Sequence, residues 1–202
     1  QLFAGLGLDA LECSVTSDLA GRLTAAVTIA RTRFTEEEIK ARVAELGAQI
    51  SEDYKGEPLV VITILRGGAI FATDLVRSIK LPLELDFMAV SSYGNGTTSS
   101  GRVQILKDLS SSIEGKHVLI AEDILDTGVT LSHLMAVLQH RNPLSIEIAA
   151  LLKKQGTQKV DIDCKYVGFD CPDAFIVGYG LDYAERYRNL PYIGVLDPKV
   201  YS

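Results

Sequence analysis

From Thr35 onward, apolar positions recur with two different periods, and these divide the chain into helices and strands. Ile39, Val43, Leu46 and Ile50 return at helical spacing behind the Thr35–Glu38 capping box, which predicts an amphipathic helix over roughly 35–53. Pro58 then introduces Leu59-Val60-Val61-Ile62-Thr63-Ile64, apolar on both alternating faces, as in a parallel strand covered on both sides. After Arg66-Gly67-Gly68 a second helix is predicted over 69–79, followed by a strand through Leu83, Leu85, Phe87 and Ala89 that ends near Ser92-Tyr93. The stretch from Gly94 to Gly101 has no core-forming side chain and predicts a long, flexible hairpin loop, whose return strand is Arg102 to Leu109. His117 to Ala121 reads as another buried strand, Val129 to Arg141 as a helix, and 145–152, 166–169 and 175–177 as short strands. This alternation predicts an α/β fold with a central, mostly parallel sheet flanked by helices and right-handed connections. Residues 1–30 show no strong periodicity and read as an N-terminal extension, leaving 31–202 as the folded domain.

Composition narrows the function classes. The 202 residues carry 20 basic and 26 acidic side chains, a net charge of −6, with 47% hydrophobic residues. That supports one ordinary domain with a real core. It weighs against a nucleic-acid-coating protein, which is usually globally basic. No apolar run reaches the ~18 residues of a membrane helix, so no membrane partner is expected. Cys13, Cys164 and Cys171 match no zinc spacing and are odd in number, which points to free thiols in a reducing, cytoplasmic compartment.

The most informative segment is Val118-Leu119-Ile120-Ala121-Glu122-Asp123-Ile124-Leu125-Asp126-Thr127-Gly128-Val129-Thr130-Leu131. A buried strand delivers two adjacent carboxylates at its C-terminal end, where ligands sit in open α/β sheets. An Asp-Thr-Gly-Val-Thr turn then opens a helix. Its backbone N–H groups, two hydroxyls and the positive end of the helix dipole form a cradle for a phosphate. Glu122 and Asp123 repel phosphate, but they suit hydroxyls or a magnesium ion that neutralises a polyphosphate. A sugar phosphate with vicinal hydroxyls satisfies both halves of the segment.

This segment resembles the phosphoribosyl pyrophosphate fingerprint of the type I phosphoribosyltransferases. Leu65-Arg66-Gly67-Gly68, Ser91-Ser92-Tyr93-Gly94, Leu106-Lys107-Asp108-Leu109, Leu152-Lys153-Lys154, Asp173-Ala174-Phe175-Ile176-Val177-Gly178 and Leu181-Asp182-Tyr183 through Arg188 are similar, in order, to the bacterial-type hypoxanthine-guanine branch. The likeness covers roughly 33–202. It implies the type I fold with a small hood formed from the chain ends, its C-terminal part about 155–202. It also implies magnesium as cofactor, phosphoribosyl pyrophosphate and a 6-oxopurine as substrates, and a homodimer or homotetramer.

The resemblance implies residue roles as well. Asp126 would be the catalytic carboxylate beside the purine imidazole. Asp126, Thr127, Gly128, Val129 and Thr130 would hold the 5′-phosphate, and Glu122 and Asp123 the ribose hydroxyls and magnesium. Leu65, Arg66 and Gly67 would form the pyrophosphate loop with a non-proline cis peptide. Arg66 stands where the family often has lysine, which changes the hydrogen-bonding fork. Arg188 would also meet pyrophosphate. Lys154 would reach the purine 6-oxo group, Phe175 would stack on the base, and the Ile176 backbone would bind its edge. Asp182 would hold a second magnesium through water and contact a guanine amino group by its carbonyl. Ser92 and Tyr93 would belong to a lid that excludes water. The competing readings are a xanthine-preferring relative and a regulatory RNA-binding protein on the same fold.

Overall fold

The structure is a computed structural model that describes residues 15–17, 23–25, 29–92 and 103–201. Its elements in chain order are β1 (Val15–Ser17), β2 (Leu23–Ala25), β3 (Ile29–Phe34), α1 (Glu36–Asp53), β4 (Leu59–Leu65), α2 (Ala69–Ser78), β5 (Glu84–Ser92) and β6 (Val103–Lys107). There follow β7 (His117–Leu125), α3 (Val129–Gln139), β8 (Ser145–Lys154), β9 (Tyr166–Cys171), β10 (Ile176–Val177) and β11 (Ile193–Leu196). The chain divides into two compact units, one from 40–173 and one from the chain ends, 1–39 with 174–202.

The larger unit holds a six-stranded sheet in the order β6-β5-β4-β7-β8-β9. All neighbours are parallel except the β5–β6 hairpin at one edge. The doubly apolar runs follow from burial on both faces. Val60, Ile62, Val118, Ile120, Ile148 and Ala150 join Leu131, Leu134 and Leu138 of α3 in one cluster. On the opposite face Val61, Leu119 and Ala149 are fully buried, with α2 lying against β4 and β7. Helix α1 begins as predicted: the Thr35 hydroxyl accepts from the Glu38 amide at 3.2 Å, while the Glu38 carboxylate accepts from the Thr35 amide at 2.7 Å. Its Arg42 donates to the carbonyls of Val167 and Gly168 at 2.7 and 2.9 Å, fixing α1 beside β9.

β7, β8 and β9 each run two or more residues further than the sequence pattern predicts. β7 continues through the acids to Leu125 because β8 keeps pairing with it, Glu122 opposite Ala150 and Leu125 opposite Lys153. Glu122 and Asp123 are therefore strand residues with fixed backbone directions. The smaller unit contains a three-stranded antiparallel sheet, β10-β11-β3, around Ile29, Val177 and Leu196. The pattern predicts neither β3 nor β11. The predicted 94–101 loop lies outside the described residues, as does Cys13; neither Cys164 nor Cys171 is in a disulfide. No helix among the described residues is long and apolar enough to cross a membrane.

Candidate active site

Two strand-to-helix connections emerge side by side where the parallel neighbours β4 and β7 end. The first, Leu65 to Gly68, contains a cis peptide between Leu65 and Arg66, as the resemblance implies. Its glycines are required by space. A methyl group on Gly67 would overlap the Asp123 carboxylate, and one on Gly68 would lie 2.5 Å from the Thr63 hydroxyl and 3.0 Å from the Ala121 carbonyl. Arg66 is exposed, and the loop passes directly over Asp123.

The second connection, Asp126 to Gly128, opens α3. Gly128 is its N-cap with φ 77°, a left-handed conformation that glycine adopts without Cβ strain. Gly128 makes no side-chain cap hydrogen bond, and a helix start of this kind is suited to receive an anion on its first-turn amides. The turn is braced from behind: the Lys159 and Val160 amides donate to the Thr127 carbonyl at 2.9 and 3.4 Å, and Ile162 packs on Gly128. A cavity of about 220 Å³ is lined by Glu122, Asp126, Thr127, Gly128 and Thr130. Four of the five residues predicted for the 5′-phosphate, all but Val129, and one of the predicted acids thus line one cavity.

Burial, and then the adjacent charge of Asp123, push the Glu122 carboxyl well above the usual carboxylate range. Asp123 accepts from the Ile124 amide at 2.8 Å while its other oxygen lies under Gly67. These donors fit a magnesium ion: two neighbouring carboxyl groups that both supply oxygen ligands. Among the described residues no three acidic, His or Cys side chains gather into a full ligand set, so such an ion would complete its shell with substrate oxygens and water.

Lys154, at the end of β8, is held between two carboxylates. Its ammonium lies 3.4 Å from Asp126 and 3.1 Å from Asp173, with the lysine side chain only 14% exposed. Burial opposes its charge, but the hydrogen bond to Asp173 and the charge of Asp126 outweigh it and raise the lysine above its ordinary value. The structure therefore brings Asp126 and Lys154, two of the predicted site residues, together. Asp173 stands within a quoted motif but is not among the predicted site residues; its contact with Lys154 is visible only in the structure.

The smaller unit carries the remaining predicted residues. Phe175 is 39% exposed and stacks on Tyr201 at 5.1 Å, with Tyr183 edge-on at 5.4 Å. Ile176 is buried and pairs with Val195 in the sheet. The Asp182 carboxylate accepts from the Glu185 amide at 2.9 Å and pairs with Arg188 at 2.8 Å. Arg188 also donates to the Gly180 carbonyl at 2.7 Å. In this arrangement Arg188 braces the 178–188 turn in addition to any ligand role. Ser92 ends β5, and Tyr93 lies outside the described residues.

This combination of sheet order, pyrophosphate-type loop and phosphate cradle defines a phosphoribosyltransferase, and the phosphoribosyl transferase domain family matches residues 32–184. The hypoxanthine-guanine phosphoribosyltransferase of Staphylococcus aureus strain Mu50 is 58% identical over 168 residues, spanning 83% of this chain and 94% of that protein. That of Dictyostelium discoideum is 56% identical over 173 residues, spanning 84% and 96%. A crystal structure of a hypoxanthine phosphoribosyltransferase from S. aureus matches with a TM-score of 0.85 and 55% identity, covering 87% of this chain and 95% of that one. The chain belongs to the hypoxanthine-guanine branch of the phosphoribosyltransferase family.

Proposed function

We propose that this chain is a purine salvage enzyme, a hypoxanthine-guanine phosphoribosyltransferase that transfers the 5-phosphoribosyl group from phosphoribosyl pyrophosphate to hypoxanthine or guanine. The products are IMP or GMP and pyrophosphate. One observation carries the reading: the uncapped, left-handed Gly128 turn at the head of α3, adjoining the Glu122–Asp123 pair on β7. It offers a monophosphate cradle and an acidic, hydroxyl-binding and cation-binding strip in one place. Family membership supplies the reaction class.

Thr127, Gly128, Val129 and Thr130 hold the 5′-phosphate through the turn. Glu122 and Asp123 orient the ribose hydroxyls, so the anomeric carbon is fixed relative to the attacking base. Magnesium, when bound, neutralises the departing pyrophosphate; Glu122 and Asp123 would hold one ion and Asp182 a second. Leu65, Arg66, Gly67 and Arg188 receive the pyrophosphate. A purine nitrogen forms the bond to the anomeric carbon as the bond to pyrophosphate breaks, with positive charge developing on the sugar. Asp126 accepts the imidazole proton of the base. Lys154 donates to the 6-oxo group, favouring hypoxanthine and guanine over adenine. Phe175 and Ile176 hold the base, and Ser92 with Tyr93 belongs to a lid. The resemblance also carries a cytoplasmic homodimer or homotetramer, which light scattering tests.

The test is nucleotide formation from phosphoribosyl pyrophosphate and magnesium with hypoxanthine, guanine, xanthine, adenine and uracil in parallel. Product is expected from hypoxanthine and guanine, and Asp126→Asn should lower the rate by about 10²-fold or more. Product from xanthine or uracil alone overturns the base assignment. No product from the folded chain overturns the activity.

A further inference from the structure

Of the parallel neighbours β7, β8 and β9, β8 ends in Lys154, while Asp126 follows one residue beyond β7 and Asp173 two residues beyond β9. Three strand ends thus present a row of charges, negative, positive, negative. The groups facing the Lys154 ammonium are Asp126 from the β7 side and Asp173 from the β9 side; its register partner on β9 is the buried Cys171. The two carboxylates are not equivalent. Asp173 is the closer, at 3.1 Å, and accepts a hydrogen bond from the ammonium, whereas Asp126 stands at 3.4 Å.

We propose that Asp173 is a positioning residue that retains the Lys154 ammonium while Asp126 leaves it to serve the purine. The inference rests on the function proposed above, in which Asp126 accepts a proton from the base and Lys154 donates to its 6-oxo group. In that reading the Asp126–Lys154 contact loosens as each group turns to the base. A lysine whose side chain is 14% exposed would then exchange its counter-charge for a neutral carbonyl, an unfavourable change for a largely desolvated cation. Asp173 offsets part of that penalty because it keeps one carboxylate on the ammonium throughout. It is 71% exposed, so water screens its charge and it does not compete with the base for the site. Asp173 touches no reacting atom; it acts through Lys154.

The experiment compares Asp173→Asn and Asp173→Glu with the unaltered chain. Asp173→Asn should raise the KM for hypoxanthine and guanine about two- to fivefold, the range of a partly screened ion pair, while kcat and the KM for phosphoribosyl pyrophosphate stay put. The basic limb of kcat/KM for the base should move to lower pH, because Lys154 loses one of two stabilising carboxylates. Asp173→Glu should restore both. Calorimetry supplies a second readout: Asp173→Asn should weaken IMP and leave ribose 5-phosphate, which has no base, unchanged. Equal losses for IMP and ribose 5-phosphate, or an unchanged base KM and basic limb, overturn the proposal. If the unaltered chain makes no nucleotide from any 6-oxopurine, the underlying function falls instead, and ribose 5-phosphate binding without IMP discrimination shows that case.

Discussion

The two strand-to-helix connections of the larger unit use glycine for opposite physical reasons. At Gly128 the backbone itself demands it, since φ is 77° and an L side chain is strained there whatever the surroundings. At Gly67 and Gly68 the demand comes from neighbours; Gly68 has an ordinary helical φ of −64°, but its would-be methyl meets Thr63 and Ala121. One turn carries a left-handed glycine at the head of α3, where the proposed function puts the 5′-phosphate. The other lies so close to Asp123 that a methyl on Gly67 would overlap its carboxylate, where the proposed function puts the ribose and the pyrophosphate. A glycine in a phosphate-binding loop is therefore not a single kind of evidence. Its substitution breaks either the turn or a contact, and the two failures have different readouts.

Gly67→Ala breaks the contact and should have the largest effect. The added methyl displaces Asp123, and a misplacement of that size costs about 10²-fold in kcat/KM for phosphoribosyl pyrophosphate, measurable by steady-state assay, with little change in melting temperature. Gly128→Ala breaks the turn. It should cost about 1–2 kcal/mol of stability from the left-handed backbone, lowering the melting temperature by a few degrees. Adding Ile162→Ala sharpens the distinction: it frees space for the methyl, 2.9 Å from Ile162, but leaves the backbone penalty in place.

Asp86, away from both connections, serves as a control whose pH dependence is set by its own contacts. Burial opposes its charge, but the amides of Phe87 and Ser110 and the Lys107 ammonium overcome this and hold its carboxyl below the usual range. Its folded-state value lies below its unfolded one, so its contribution is complete above about pH 4 and fades as pH falls through the folded value. Asp86→Asn should cost about 1 kcal/mol at pH 7 by denaturant titration, and the gap to the unaltered chain should shrink below about pH 4. Thr63→Val should have the smallest effect. The Thr63 hydroxyl is fully buried and without a hydrogen-bond partner, so an apolar group of the same shape should leave stability unchanged or raise it by up to about 1 kcal/mol.

The same contrast explains what was legible before the structure. β4 and β7 announce themselves because burial on two faces demands an unbroken apolar run, and the 126–130 turn because its chemistry is contiguous in sequence. β3 and β11 do not. They are six and four residues long, pair with each other from opposite ends of the chain, and take their stability from partners that no local pattern names. The 178–188 turn is equally hidden: Tyr179, Ala184, Glu185 and Tyr187 all have positive φ, against their own preference. Backbone bonds such as Gly180 N–H to the Arg188 carbonyl, and the Arg188 guanidinium on the Gly180 carbonyl, hold them there. Asp173 was silent for a related reason, because its partner Lys154 comes from β8, distant in sequence.

The most direct measurement is calorimetric titration of IMP, and of pyrophosphate with magnesium, into the unaltered chain, Gly67→Ala and Gly128→Ala. If the β7–α3 turn holds the 5′-phosphate and the β4–α2 loop holds the pyrophosphate, Gly128→Ala loses chiefly IMP and Gly67→Ala chiefly pyrophosphate. Equal losses of both ligands in both variants, or the reverse pairing, would contradict that division of the substrate between the two strand ends.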